Sequence, residues 1–279
     1  MRSLFIGTIS SASILLSSYS GIALAQLIPQ EVAQLDEDAS LDFILEKLNP
    51  VPVFVIADEN GSPLIATKDD DSKITGVFIS QTDANRFVEQ LKIKDPEIAA
   101  KVKVIPTPLG GIYKLSESAK DESNPLQFAY IPEGEAVNSA KTIIGEQNED
   151  SDPLEFEFDS DFEQQVADLA ETIFGEQNDF RSYEGGVPLF LAKVGGDEEY
   201  LTITRDGKKM IPLFFEQYQL DLAIAKLNQK DPELAEDVEI EVTYLETLMS
   251  DLSNGEDEYP EDFILVPTEE SKEFLRDKK

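Results

Sequence analysis

Apolar and polar positions follow one order along this chain, and that order is written twice. Val51 to Ala57 is a continuous apolar run, the pattern of a strand covered on both faces. Its opening, Val51-Pro52-Val53-Phe54, recurs 136 positions later as Val187-Pro188-Leu189-Phe190. Asp58-Glu59-Asn60-Gly61 reads as a turn, Pro63 to Thr67 as a second strand and Ile74 to Ile79 as a third. In the second copy, Tyr200 to Thr204 and Lys209 to Phe215 flank Arg205-Asp206-Gly207-Lys208, where Asp-Gly between apolar runs signals a hairpin. Each copy is therefore expected to open with a three-stranded antiparallel meander.

A helix is expected next in each copy. Ser80 and Asp83 resemble a capping box, and Ala84, Phe87, Val88 and Leu91 lie on one helical face. Their counterparts are Leu220, Ala223, Ile224 and Leu227, so large and small members trade places in a volume-conserving way. Lys94-Asp95-Pro96-Glu97 and Lys230-Asp231-Pro232-Glu233 are helix starts, with Asp as N-cap and Pro at the first helical position. Strands follow at Val102 to Pro106 and Val238 to Val242. Thr107 and Thr243 are expected to cap short helices, with Pro108 at N1 of the first and Glu246 at N3 of the second. Leu126 to Pro132 and Phe263 to Pro267 read as strands, followed by helices at Glu133 to Ile144 and Thr268 to Arg276. A further helix is expected around Glu31 to Leu48. The pattern predicts an α/β (α+β) fold of two pseudo-symmetric halves, each a mixed sheet covered by helices.

Between the copies, Thr142 to Asn148 returns as Thr172 to Asn178, with Gly145 and Gly175 as expected C-caps. Glu149-Asp150-Ser151-Asp152-Pro153 reads as a linker. The organisation expected is a signal peptide at 1–25, a first half at 26–150 and a second at 151–279. The first segment has Arg2 as its sole charge, an apolar stretch from Leu4 to Leu16 and an Ala23-Leu24-Ala25 cleavage site. Export is therefore expected, with no membrane-spanning segment after signal cleavage.

Composition narrows the chemistry. The chain has no His and no Cys, which removes disulfides, the commonest general base and the commonest transition-metal ligands. Ser-His-Asp and Cys-His catalysis are impossible, and there is no Gly-rich phosphate loop. With 57 Asp and Glu, carboxylate pairs arise by chance and none is singled out as catalytic. Asp69-Asp70-Asp71 and Glu149-Asp150-Ser151-Asp152 lack the spacing of a calcium loop, so neither cofactor nor metal is expected. A formal charge of −34 repels phosphate backbones and argues against nucleic acid as a partner. Duplication without catalytic residue types favours a binding scaffold over an enzyme.

Four segments carry a resemblance: Val51-Pro52-Val53-Phe54, Gly76 to Ala84, Lys103-Val104-Ile105-Pro106 and Phe128 to Pro132. Together, over about residues 41 to 275, the chain resembles the Tic-twenty-two-like family. This is the soluble intermembrane-space component of the chloroplast inner-envelope translocon, with cyanobacterial periplasmic homologues. The resemblance implies two similar halves with hydrophobic pockets and a chaperone-like handling of unfolded or outer-membrane precursor proteins. It also implies contact with envelope translocation machinery, and a location in the periplasm, in the thylakoid lumen or at the outer membrane. The family has no catalytic motif to carry across.

If a client groove exists, the short helices after the Val-rich strands are its expected walls, lined by Leu109, Ile112, Tyr113, Leu245, Leu248 and Met249. The same spacing is equally that of core residues. The alternatives to a binding module are a structural subunit of an envelope translocation assembly and an exported carboxylate-based hydrolase.

Overall fold

The computed structural model describes residues 40–67, 73–120, 125–147, 186–194, 199–254 and 263–277. The expected signal peptide, the acidic triplet at 69–71, the linker at 149–153 and the echo at 172–178 lie outside the described residues. After helix α1 (40–48), the first half runs β1 (Pro52–Asp58), β2 (Ala66–Thr67), β3 (Lys73–Phe78), α2 (Gln81–Lys94), α3 (Pro96–Ala99), β4 (Val102–Pro108), α4 (Leu109–Ala119), β5 (Leu126–Ile131) and α5 (Gly134–Gln147). The second runs β6 (Pro188–Val194), β7 (Glu199–Tyr200), β8 (Ile203–Arg205), β9 (Lys208–Phe214), α6 (Gln217–Lys230), α7 (Pro232–Glu236), β10 (Val238–Tyr244), α8 (Leu245–Asn254), β11 (Phe263–Val266) and α9 (Glu269–Asp277).

Both sheets are mixed and share one plan. In the first, β1 lies antiparallel between β4 and β3, and β3 pairs in parallel with β5. In the second, β6 lies antiparallel between β10 and β9, and β9 pairs in parallel with β11. The expected meander is modified. β2 is short, pairing only Ala66 with Ile74 and Thr67 with Lys73, so β1 and β3 meet directly through Phe54–Phe78 and Val55–Val77. The second sheet does the same, with Phe190 opposite Phe214. In both sheets this register sets two buried Phe residues opposite each other across adjacent strands. The hairpin is as expected: Asp206 and Gly207 both take positive φ, 51° and 81°, as a two-residue hairpin loop requires.

Period-two alternation sorts each strand between two cores. Val51, Val53 and Val55 point into a central cluster, while Phe54 and Ile56 point outward into a second one. Val187, Leu189 and Leu191 meet the first set in the same central cluster, and Phe190 and Ala192 enter a third. The central core therefore belongs to both halves at once.

The outer cores are closed by exchanged helices. Ala136, Ala140 and Ile143 of α5, from the first half, pack with Phe190, Phe214 and Leu220 of the second. In return, Phe274 of α9 packs on the first sheet, its ring edge-on to Phe54 at 5.6 Å.

A polar link runs the same way. Ser80 caps α2, its hydroxyl accepting from Asp83 N at 3.3 Å, but the reciprocal half of the expected capping box is different. Asp83 turns to Arg86 at 2.9 Å, and Glu270 of α9 serves the helix start instead. The Glu270 carboxylate accepts from Ser80 Oγ, Gln81 N, Thr82 N and Thr82 Oγ1 at 2.6–3.0 Å. A carboxylate at a helix N-terminus is favoured by the exposed N–H groups and the dipole. Glu270→Ala is expected to cost about 2–4 kcal/mol, since four donors lose a charged acceptor together. Urea unfolding measures this, and a loss no larger than that of an exposed surface Glu would refute the link.

Other helix starts divide between expectation and correction. Asp95 accepts from Ile98 N at 3.0 Å and Asp231 from Leu234 N at 3.2 Å, each before a Pro at the first turn. Thr107 and Thr243 do not cap α4 and α8. They remain in the ladder opposite Val53 and Leu189, and the helices start two residues later. Their first amides donate to the neighbouring strand instead, Leu109 N to Val51 O and Leu245 N to Val187 O, both 2.8 Å. Pro108 is accordingly the N-cap residue and not N1. Gly145 is not a C-cap, because α5 continues to Gln147 without a positive φ.

Candidate binding cleft

The six residues expected to wall a groove are brought together, but in the interior. Leu109, Leu245 and Leu248 are fully buried, and Ile112, Tyr113 and Met249 nearly so, all in the central cluster between the sheets. Among the described residues they are packed as core, and they line neither the cleft of the second half nor the cavity of the first. A polar substitution at Tyr113 or Met249 therefore reads out stability before any binding.

Among the described residues, an open apolar surface lies elsewhere, on the outer side of the second half. A cleft of about 610 Å³ opens between β8 and α6, with Phe214 and Val266 among its lining residues. Leu201 and Ile203 form one wall, and Leu222, Ala223 and Leu227 of α6 the other. Leu222 is 43% exposed and presents its side chain at the cleft.

The equivalent place in the first half is closed. Its cavity is about 30 Å³ and is lined by Phe78 and Phe87 among others. Phe87 is buried, its ring edge-on to Phe78 at 5.4 Å. Phe214 stands where Phe78 does, but Ala223 stands where Phe87 does. Leu220, at the place of Ala84, is fully buried one turn earlier against Phe190 and Phe214. The large-small exchange conserves volume along the helix face but moves it by a turn, and the site of the missing ring is left open.

One end of the cleft is polar. Lys272 of α9 donates to Glu269 at 3.0 Å and to Gln219, which in turn donates to Pro267 O at 2.9 Å and to Glu216. Glu216 also accepts from Glu269 N at 2.9 Å, tying the start of α6 to the start of α9.

A second, smaller pocket of about 140 Å³ lies near the start of α5, lined by Glu133, Glu135, Glu216 and Tyr218. Glu133 is pushed up to about 7, first by burial and then by Glu216, Asp83, Glu270 and Glu135. Here the hydrolase alternative finds a perturbed acid beside an open pocket. Yet Glu216 and Glu270 are engaged as acceptors of helix-start amides, and no hydroxyl nucleophile is hydrogen-bonded to Glu133 among the described contacts. No cluster of three metal-binding side chains occurs among the described residues. No helix among them is long and apolar enough to cross a membrane.

A signal for the cleft was present in the sequence, namely Ala223 opposite Phe87 in the repeat, since a ring missing from one copy marks a place to look for space.

Two solved structures share this arrangement. Tic22 of Anabaena, described as a protein of protein transport, superposes with a TM-score of 0.61 at 25% identity, covering 85% of this chain and 96% of that one. Tic22 of Plasmodium falciparum gives 0.60 at 20% identity, covering 84% and 96%. No curated protein sequence matches the chain. A model of the Tic22-like family matches twice, over residues 19–153 and 150–277, one match to each half. With the matches spanning both copies of the repeated fold, the chain belongs to the Tic22-like family.

Proposed function

We propose that the protein is a non-enzymatic, chaperone-like binding protein of the periplasm that handles unfolded precursors in protein transport and outer-membrane biogenesis. The observation that carries this reading is the open apolar cleft of the second half, which the first half closes with Phe87. An unfolded segment offers apolar side chains, and a cleft of this size accepts several of them. The net charge of −34 supports the reading too, because a loaded holder must stay soluble while it carries an aggregating client. The signal-like segment at 1–25 supports export, and the transport role described for the Anabaena relative agrees with it. Outer-membrane precursors are the proposed clients, with envelope translocation machinery as the destination.

The test is suppression of aggregation of an unfolded outer-membrane barrel, followed by light scattering. The protein is expected to suppress scattering near stoichiometric amounts. Ala223→Phe restores the ring that Phe87 supplies in the first half and should close the cleft, with the buried Leu220 left in place. This variant is expected to lower suppression at least about tenfold while remaining folded, because the added ring enters open space and not the packed core. Undiminished suppression by a cleft-closed, folded variant would overturn the reading. Absence of suppression by the parent protein would shift the weight to a structural subunit of a translocation assembly.

A further inference from the structure

We propose that the cleft of the second half takes the C-terminal end of an apolar polypeptide, with the free carboxylate held by Lys226 and Lys230. This rests on the client-handling reading and names the part of the client that is recognised.

Charge is the first argument. The chain has 23 Lys and Arg against 57 Asp and Glu, so cations facing a cleft are scarce. Lys226 and Lys230 both line it, with Leu222 on the same stripe at i, i+4 and i+8 of α6. Neither has an ion pair among the described residues, whereas the third lysine of the cleft, Lys272, is held by Glu269. Glu269 sits at the Lys272 end and would repel an anion there, leaving the Lys226–Lys230 end as the favourable one. Asp231, next in sequence, is already committed as the N-cap of α7.

The repeat gives the second, independent argument. The first-half positions matching Leu222, Lys226 and Lys230 are Arg86, Gln90 and Lys94. There, Arg86 is paired with Asp83, and the equivalent cavity is closed. Among the described residues of these two equivalent places, open apolar space and a pair of cations without an ion pair occur together in the second half and not in the first.

The remaining lining selects a peptide over a plain acyl chain. Thr202 and Thr204 are exposed at the cleft wall and offer hydroxyls to backbone amides and carbonyls, which an alkyl chain cannot use. An ammonium pair gives a terminal carboxylate charge-assisted hydrogen bonds, which the backbone of an apolar internal segment, having no charge, does not receive.

Fluorescence anisotropy tests this with a labelled ten-residue peptide of alternating polar and apolar residues ending in Phe. It is made as the free acid and as the C-terminal amide, and palmitate serves as competitor. The free acid is expected to bind about tenfold more tightly at low salt, the advantage shrinking at about 0.5 M salt as the charges are screened. Lys226→Gln with Lys230→Gln should bring the acid to the affinity of the amide and leave the amide unchanged. Equal binding of acid and amide to the parent protein would overturn the proposal. So would palmitate binding with no binding of the free-acid peptide. If acid and amide bind equally and both are lost with Ala223→Phe, the carboxylate proposal falls and client handling stands. If suppression of barrel aggregation survives cleft closure, client handling by this cleft falls as well.

Discussion

Either half produced alone, residues 26–150 or 151–279, will fail to fold, and the two will regain structure only when produced together. The central cluster is built from both halves: Val53, Val77, Leu109 and Ile112 of the first meet Leu189, Leu213, Leu245 and Leu248 of the second. Separating them exposes at least four large side chains on each side. At about 1.5–3 kcal/mol each, that is a loss of roughly 6–12 kcal/mol, comparable with the whole stability of an ordinary domain. The exchanged helices add to the loss. Without α5, Phe190 and Phe214 lose Ala136, Ala140 and Ile143, and without α9, Phe54 loses Phe274 and the start of α2 loses Glu270. Amide proton dispersion of each fragment, alone and after co-production, measures this. A dispersed spectrum from an isolated half would sink it, because it would mean that the inner face of one sheet is stable in water.

Much of the local structure was legible because it is set by neighbours in sequence. Asp95 and Asp231 cap helices three residues away, and Asp206-Gly207 fixes its own hairpin. The double-sided burial of β1 follows from an unbroken apolar run. What was not legible depends on distant partners. The apolar stripe of α5 says that one face is covered, but nothing local says that the cover is the other half's sheet. Glu270 lies 190 positions from Ser80, and no short pattern connects them. Thr107 and Thr243 looked like caps, yet ladder pairing with β1 and β6 kept them in strands. For the six groove candidates, helical spacing is the same whether a face meets a client or a sheet, and burial alone separates the two. The cleft was half visible: the Phe87–Ala223 exchange could be read, but not that Leu220 would fill a different place.

Stability should fall as pH rises from about 5 to 8, and Glu246→Gln should remove most of that fall. Glu246 sits at the second position of α8, where Oε2 accepts from Val187 N at 2.8 Å. Gly186 leaves room for it, since a Cβ there would collide with the carboxylate. In the first half the roles are reversed: Gly110 takes the place of Glu246, and the Asn49 side chain fills the space against it. The price of this exchange is a buried carboxyl, for although Glu246 as a whole is only half-buried, Oε1 is sealed from solvent with no hydrogen-bond partner. Burial pushes its pKa up to about 7, against the lowering by its own amide and that of Val187. Because the folded value lies above the ordinary one, the fold favours the protonated form. That contribution is complete below about pH 4.5 and is lost as pH passes through about 7. The loss is up to about 3 kcal/mol for Glu246, and Glu133, raised the same way but more open to water, adds a smaller share. The window is unusually clean, because a chain without His or Cys has no ordinary side chain titrating between pH 6 and 8. Glu246→Gln keeps an acceptor for Val187 N and cannot ionise. Its stability should match the parent at pH 5 and exceed it by about 2–3 kcal/mol at pH 8, a difference in melting temperature of roughly 5–10 °C for a protein of this size. Parallel stability curves for parent and variant across that range would show that the buried carboxyl does not set the pH dependence.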